Sequence, residues 1–142
     1  MMNVEDALFL YFKAYEQFRI DEIIDGFLLP CHLVSDAEEV VLMPLPTKES
    51  CRVVQRVLDW HRGLGVERFS IAKQVIIELS PRISCVDVKV DVEDGAGVKL
   101  YDFEALYTFV RSASTWRIAA ITYNQIPRLL SCVRAHGKTS GA

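Results

Sequence analysis

Residues Val98–Phe109, "VKLYDFEALYTF", decide the fold. Tyr101, Phe103, Ala105, Tyr107 and Phe109 fall on one side of an extended chain, and Asp102 and Glu104 on the other. Successive side chains of a strand point to opposite faces, so this period of two describes a strand with one dry face and one wet face. Either the carboxylates look into a pocket, where they can do acid–base chemistry, or they keep an outer surface hydrated. The neighbouring stretches decide between these.

On the N-terminal side, Val86-Asp87-Val88-Lys89-Val90-Asp91-Val92 alternates strictly, and "EDGAGV", residues Glu93–Val98, supplies a hairpin turn. Folding about Gly95–Ala96 sets Lys89 opposite Asp102, Val88 opposite Phe103 and Val90 opposite Tyr101. A one-residue slip would oppose Val88 to Asp102 and mix the faces, so the first register is preferred. On the C-terminal side, "SAST", Ser112–Thr115, turns the chain and pairs Arg111 with Trp116, in a strand running to Gln125. Phe109 then meets Ile118, Tyr107 meets Ala120, Ala105 meets Thr122 and Phe103 meets Asn124. This register places Tyr101, Phe103, Tyr107, Thr122 and Asn124 on the inner face as candidate pocket residues. It leaves Asp102 and Glu104 outside with Leu106, Ile121 and Tyr123. An outer apolar group of that kind predicts a homodimer face.

Further out, Val4, Leu8, Tyr11, Phe12, Tyr15 and Phe18 recur at helical spacing, with Asn3 as N-cap and Glu5 and Asp6 at the positive end of the helix dipole. A short helix is expected from Asp21, burying Ile23, Ile24, Phe27 and Leu28 and stopped by Pro30. "CHLV" and "EEVVLM" read as short strands around Ser35–Asp36. A helix from about Lys48 to Arg62 follows, with Thr47 as cap, Cys51, Val54, Val57 and Leu58 buried, and Gly63 and Gly65 ending it. His61 falls in its last turn, where the dipole favours partial positive charge, and is read as structural.

The chain of 142 residues, 51% hydrophobic and 25% charged, suits one domain over 1–127, followed by a fraying tail over 128–142. A net charge of −3, with basic side chains interspersed among acids, gives no electrostatic case for nucleic acid. No apolar run approaches the roughly 20 residues of a membrane span, and the N-terminus lacks the layout of a secretion signal, so a cytoplasmic protein is expected. Cys31, Cys51, Cys85 and Cys132 are widely separated and read as reduced thiols. His32, His61 and His136 show no metal-binding spacing, and phosphate-loop and nucleophile-elbow motifs are absent. No metal or cofactor is expected.

"YFKAYEQFRIDEIIDGFLLP" (Tyr11–Pro30) as paired opening helices and "YTFVRSASTWRIAAI" (Tyr107–Ile121) as a closing hairpin resemble the nuclear transport factor 2-like superfamily over roughly Val4–Asn124. That resemblance implies an α+β fold: a cone-shaped, curved, mixed or antiparallel sheet with helices packed on its concave face, related to cystatin-like folds. It also implies a pocket between the sheet and the first helix, and dimerisation through the convex face. Ketosteroid isomerases and polyketide cyclases share the fold. Their chemistry, carried over residue by residue, makes Tyr11 or Tyr15 the helix tyrosine and Asp36 the base, with Glu38 second. The acid inside the sheet has no counterpart among the inner-face positions. His32 can join Tyr15 and Asp36 if all three reach the cone mouth. The expectation is a pocket protein that binds a small apolar ligand as a homodimer, Tyr11 and Tyr15 lining the pocket. The alternative is an isomerase, cyclase or dehydratase using Asp36, Tyr15 and His32.

Overall fold

A computed structural model of the protein describes residues 2–35, 40–43 and 47–124. Helix α1 spans Val4–Glu16, and the Asn3 side chain caps it by accepting a hydrogen bond from the Asp6 amide at 2.9 Å. Val4, Leu8, Tyr11 and Phe12 form its buried stripe. Helix α2 is shorter than the sequence suggests, Ile20–Asp25, and ends at Gly26 rather than at Pro30. A larger residue would be crowded there: a Cβ on Gly26 would lie 3.3 Å from the Tyr11 ring and 3.2 Å from the Ile23 carbonyl oxygen. Ile23 and Ile24 are buried as expected, but Phe27 and Leu28 already belong to strand β1, Phe27–Ser35, where alternation buries Phe27 and exposes Leu28. Asp21 lies in the first turn of α2, and the cap is Arg19. Strand β2, Val40–Met43, pairs antiparallel with β1. Helix α3 runs Thr47–Leu64, and Gly65 leaves it at φ 83°.

Four strands complete the sheet: β3 (Arg68–Ser80), β4 (Ile83–Glu93), β5 (Lys99–Ser112) and β6 (Thr115–Asn124). The order is β2-β1-β6-β5-β4-β3, antiparallel except where β1 runs parallel to β6. It is a curved mixed sheet with helices against it, the α+β, cystatin-like arrangement. Among the described residues no helix is long and apolar enough to cross a membrane. The expected tail lies outside the described residues.

Two irregularities bring β4 and β5 into register. The turn is built on Asp94, whose carboxylate accepts hydrogen bonds from the amides of Ala96 at 2.9 Å and Val98 at 3.0 Å, while Gly97 takes φ 83°. This makes a three-residue turn centred on Ala96, which shifts the pairing by one residue relative to a fold about Gly95–Ala96. A bulge between Val92 and Glu93 adds a second one-residue shift. Each shift alone would exchange the faces, and together they restore them. Lys89 therefore opposes Glu104 rather than Asp102, and Val90 opposes Phe103, with the valines and aromatics still facing inward.

The β5–β6 hairpin carries a single uncompensated irregularity. Arg111–Trp116 and Phe109–Ile118 pair as expected, but a register shift between Thr108 and Phe109 sets Thr108 opposite Ala120 and Tyr107 opposite Ile121. Beyond Ala119 the faces of β6 are exchanged. Ile121 and Tyr123 point into the core, and Thr122 is exposed. The outer apolar group of Leu106, Ile121 and Tyr123 is thereby dissolved: only half-buried Leu106 stays outside the core, across from Thr122.

Candidate functional site

The cone is packed from both walls by aromatic rings. From α1, Tyr11 meets Tyr107 edge-on at a centroid distance of 5.9 Å, and Phe12 meets Tyr107 at 5.8 Å. Phe12 stacks on Phe69 of β3 at 5.4 Å, and Phe103 meets Tyr123 at 6.1 Å. Such tilted and edge-on pairs are favourable beyond the area they bury. Rings of this size do not fill the space between α1, α3 and the sheet. A cavity of about 40 Å³ remains, walled by α1, β1, α3 and the sheet, with Tyr15, Val57, His61, Tyr101, Tyr107 and Tyr123 among its lining. No charged side chain lines it among the described residues.

Besides the Tyr107 and Tyr123 hydroxyls, its polar groups occur as two pairs. The Tyr11 and Tyr15 hydroxyls lie 3.3 Å apart, one helical turn separating their residues. On the opposite wall, His61 Nε2 and the Tyr101 hydroxyl are 2.6 Å apart, across 40 residues of sequence. So short a contact fits the phenol donating O–H to Nε2, since O–H donors approach more closely than N–H donors. The neutral ring then keeps its proton on Nδ1, which is buried and has no protein partner among the described residues. His61 is only 2% exposed and is surrounded by Tyr15, Trp60, Phe69 and Tyr101.

Burial governs the ionisation of His61, Tyr11 and Tyr15, because desolvation disfavours the charged form. It lowers the His61 pKa to about 4. It pushes the Tyr15 phenol up to about 12, partly offset by the bond to Tyr11, and raises Tyr11, Tyr107 and Tyr123 well above the ordinary tyrosine value. The buried Cys31 thiol also rises to about 12. At neutral pH His61, Tyr11, Tyr15, Tyr107 and Tyr123 are uncharged.

The structure gathers some of the expected site residues and disperses others. Tyr11, Tyr15, Tyr101, Phe103 and Tyr107 all line the cavity. Thr122 does not, because the bulge turns it outward, and Ile121 and Tyr123 line the wall in its place. The Asn124 side chain, Asp36 and Glu38 lie outside the described residues. His32 is exposed, between the inward-facing Cys31 and Leu33, and is not brought to Tyr15. Asp102 is on the outer surface, where the Lys99 ammonium at 2.8 Å holds its carboxyl below the ordinary value. His61, read from sequence as a helix-end residue, is the functional candidate that sequence reasoning missed. A lone histidine on an apolar helical stripe was its only signal. Among the described residues no cluster of three or more His, Cys, Asp or Glu side chains could hold a metal ion.

Comparison with known proteins places the fold. A family model for NTF2-like proteins (DUF6841) matches residues 3–125. No curated protein matches. Among solved structures, a ketosteroid isomerase-like protein from Erwinia carotovora atroseptica superposes with TM-score 0.61 at 17% identity, over 85% of this chain and 92% of that one. A cystatin-like-fold protein of unknown function from Nostoc punctiforme gives 0.66 at 6% identity, covering 88% and 90%. An NTF2-like protein of unknown function from Shewanella oneidensis gives 0.64 at 13% identity, covering 86% and 96%. At these identities the likeness is one of fold.

Proposed function

The chain belongs to the NTF2-like proteins of family DUF6841, and from that premise we propose that it is a binding protein whose cone takes up one small, uncharged, largely apolar molecule. The observation that carries this reading is the cavity, partly open to solvent, walled by aromatic and aliphatic side chains and furnished only with neutral hydrogen-bonding groups. Ligand sites are mostly apolar, with a few placed polar groups. Here those groups are the Tyr11–Tyr15 pair, the His61–Tyr101 pair and the hydroxyls of Tyr107 and Tyr123.

The size of the cavity bears on how a ligand enters. A water needs on the order of 10–15 Å³ by this measure, and a benzene-sized guest roughly 150 Å³. About 40 Å³ therefore suits a few waters, and an organic guest enters only if the walls part. Tyr15, Val53, Phe69 and Tyr101 are the partly exposed members of the lining and mark the place where they do so. A charged ligand would lose its hydration with nothing inside to compensate it. A histidine with a pKa of about 4 is a weak base at neutral pH, which suits recognition better than proton abstraction.

The test is a thermal-shift and calorimetric screen with matched compounds of naphthalene or terpenoid size: hydrocarbons, their hydroxyl or carbonyl derivatives, and the corresponding carboxylates. The uncharged oxygenated members should bind and the carboxylates should not. A ligand at a hundredfold excess over its Kd adds about 2.7 kcal/mol to stability. Val57→Ile extends a cavity-lining side chain by one methylene and should weaken uptake while leaving the fold intact. If no compound in any class raises the melting temperature, the binding reading fails.

A further inference from the structure

Strand β3 forms one end of the described sheet, and among the described residues one of its sides has no neighbouring strand. Every residue from Ile71 to Leu79 is exposed, including Val75 at 45%, Ile77 at 45% and Leu79 at 63%. Soluble proteins normally blunt such edges with charge, proline, bulges or a covering element, because unpaired backbone groups beside apolar side chains recruit another strand. The beginning of β3 is blunted in this way. The Phe69 amide donates to the Glu16 carboxylate of α1 at 2.8 Å, and the register with β4 shifts between Ile71 and Lys73. From Lys73 to Glu78 the strand is regular, and it carries one cation and one anion.

We propose that this edge pairs antiparallel with the β3 edge of a second copy of the chain, about a two-fold axis at Ile76. The sequence of the edge identifies the occupant. In that register Ile76 faces Ile76 of the second copy, Val75 faces Ile77, Gln74 faces Glu78, and Lys73 lays its aliphatic stem against Leu79. Apolar side chains meet apolar ones, an amide meets a carboxylate, and no like charges oppose. Moving the axis to Val75 sets Lys73 against Ile77 and Gln74 against Ile76. Moving it to Ile77 sets Ile76 against Glu78. Only the Ile76 register is free of polar-on-apolar mismatch along its centre, as a self-complementary, isologous contact requires. This inference stands apart from the pocket reading, and it replaces the outer faces of β5 and β6 as the surface for a second copy.

Sedimentation velocity of the full chain across micromolar concentrations tests it. The chain should sediment as a dimer. Ile76→Lys, which opposes two ammonium groups at the axis, should give monomer whose unfolding curve matches that of the unsubstituted chain diluted until it dissociates, since the side chain is already exposed in the single copy. Gln74→Lys should tighten the dimer by placing a cation opposite Glu78, and Gln74→Glu should loosen it, each by several-fold in Kd. A chain that is monomeric at every concentration overturns the proposal. Protection of the β3 amides from hydrogen exchange in such a monomer would assign the edge to the chain's own residues 125–142. A dimer indifferent to all three substitutions overturns it as well.

Discussion

Acidifying the protein from pH 7 to pH 4 tests the site without any ligand. In the unfolded chain a histidine takes up its proton near pH 6.5. In the folded protein His61 does so only near pH 4, because the aromatic wall around it leaves an imidazolium without solvent. A folded-state pKa lowered in this way adds nothing to the pH dependence above 6.5, where the ring is neutral in both states. Between 6.5 and 4 the unfolded chain binds more protons, so stability falls as the pH falls. Below about 4 the loss is complete. At 1.36 kcal/mol per unit, a difference of about 2.5 units amounts to about 3 kcal/mol, of which about 2 kcal/mol is gone by pH 5. Urea unfolding at steps between pH 7.5 and 4 measures it, with His61→Gln as reference. Glutamine keeps a polar group at the site and leaves every other titrating group in place, so the difference between the two stability curves isolates His61. That difference should swing toward the variant by about 3 kcal/mol across the window. A constant difference from pH 7.5 to 4 would refute the buried, neutral His61 and the uncharged cavity built on it.

Tyr101→Phe removes the hydroxyl partner of His61 and should cost about 1–3 kcal/mol in urea unfolding, the range for a buried polar group left unpaired; no loss would mean the 2.6 Å contact contributes nothing. Gly97→Ala forces a side chain to φ 83° in the β4–β5 turn, with its Cβ 3.2 Å from an Arg68 guanidinium nitrogen, and should lower stability by about 1–2 kcal/mol. An unchanged unfolding midpoint would show that the turn adjusts freely. Glu16→Ala frees the Phe69 amide and should cost about 1–3 kcal/mol, whereas Glu16→Gln, which still offers an oxygen, should cost less; equal losses would argue against the hydrogen bond.

The strands themselves were legible because their signal is local. Alternation in Val86–Val92 and in Val98–Phe109 marks two half-buried strands whatever surrounds them, and the apolar stripe of α1 is equally self-contained. Register is a different quantity. It is the sum of every turn and bulge between two points, and a single extra residue reverses it. For β4 and β5 two such residues cancel, so Asp102 and Glu104 face outward although each stands opposite a partner other than the expected one. For β5 and β6 the one bulge at Ala119 does not cancel. Nothing in "WRIAAI" announces it, because Ala119 and Ala120 are equally small and either fits on either face.

The same argument explains which parts of the site were readable. Tyr11 and Tyr15 stand one helical turn apart, so their shared wall follows from spacing alone, and Tyr101, Phe103 and Tyr107 follow from strand period. Tyr123 and Ile121 depend on parity beyond the bulge and were therefore assigned to the wrong side. His61 depends on how α3 crosses the sheet. Its position near the helix end suggests a favourable interaction between partial positive charge and the dipole, which holds for an exposed ring. Closure of α3 over β5 brings Tyr101 to Nε2 and excludes water from the ring, and desolvation then outweighs the dipole, lowering the pKa instead of raising it. The residue that sets the chemistry of the cavity is thus one whose ionisation is decided by packing between elements 40 positions apart, a quantity that no window of sequence contains.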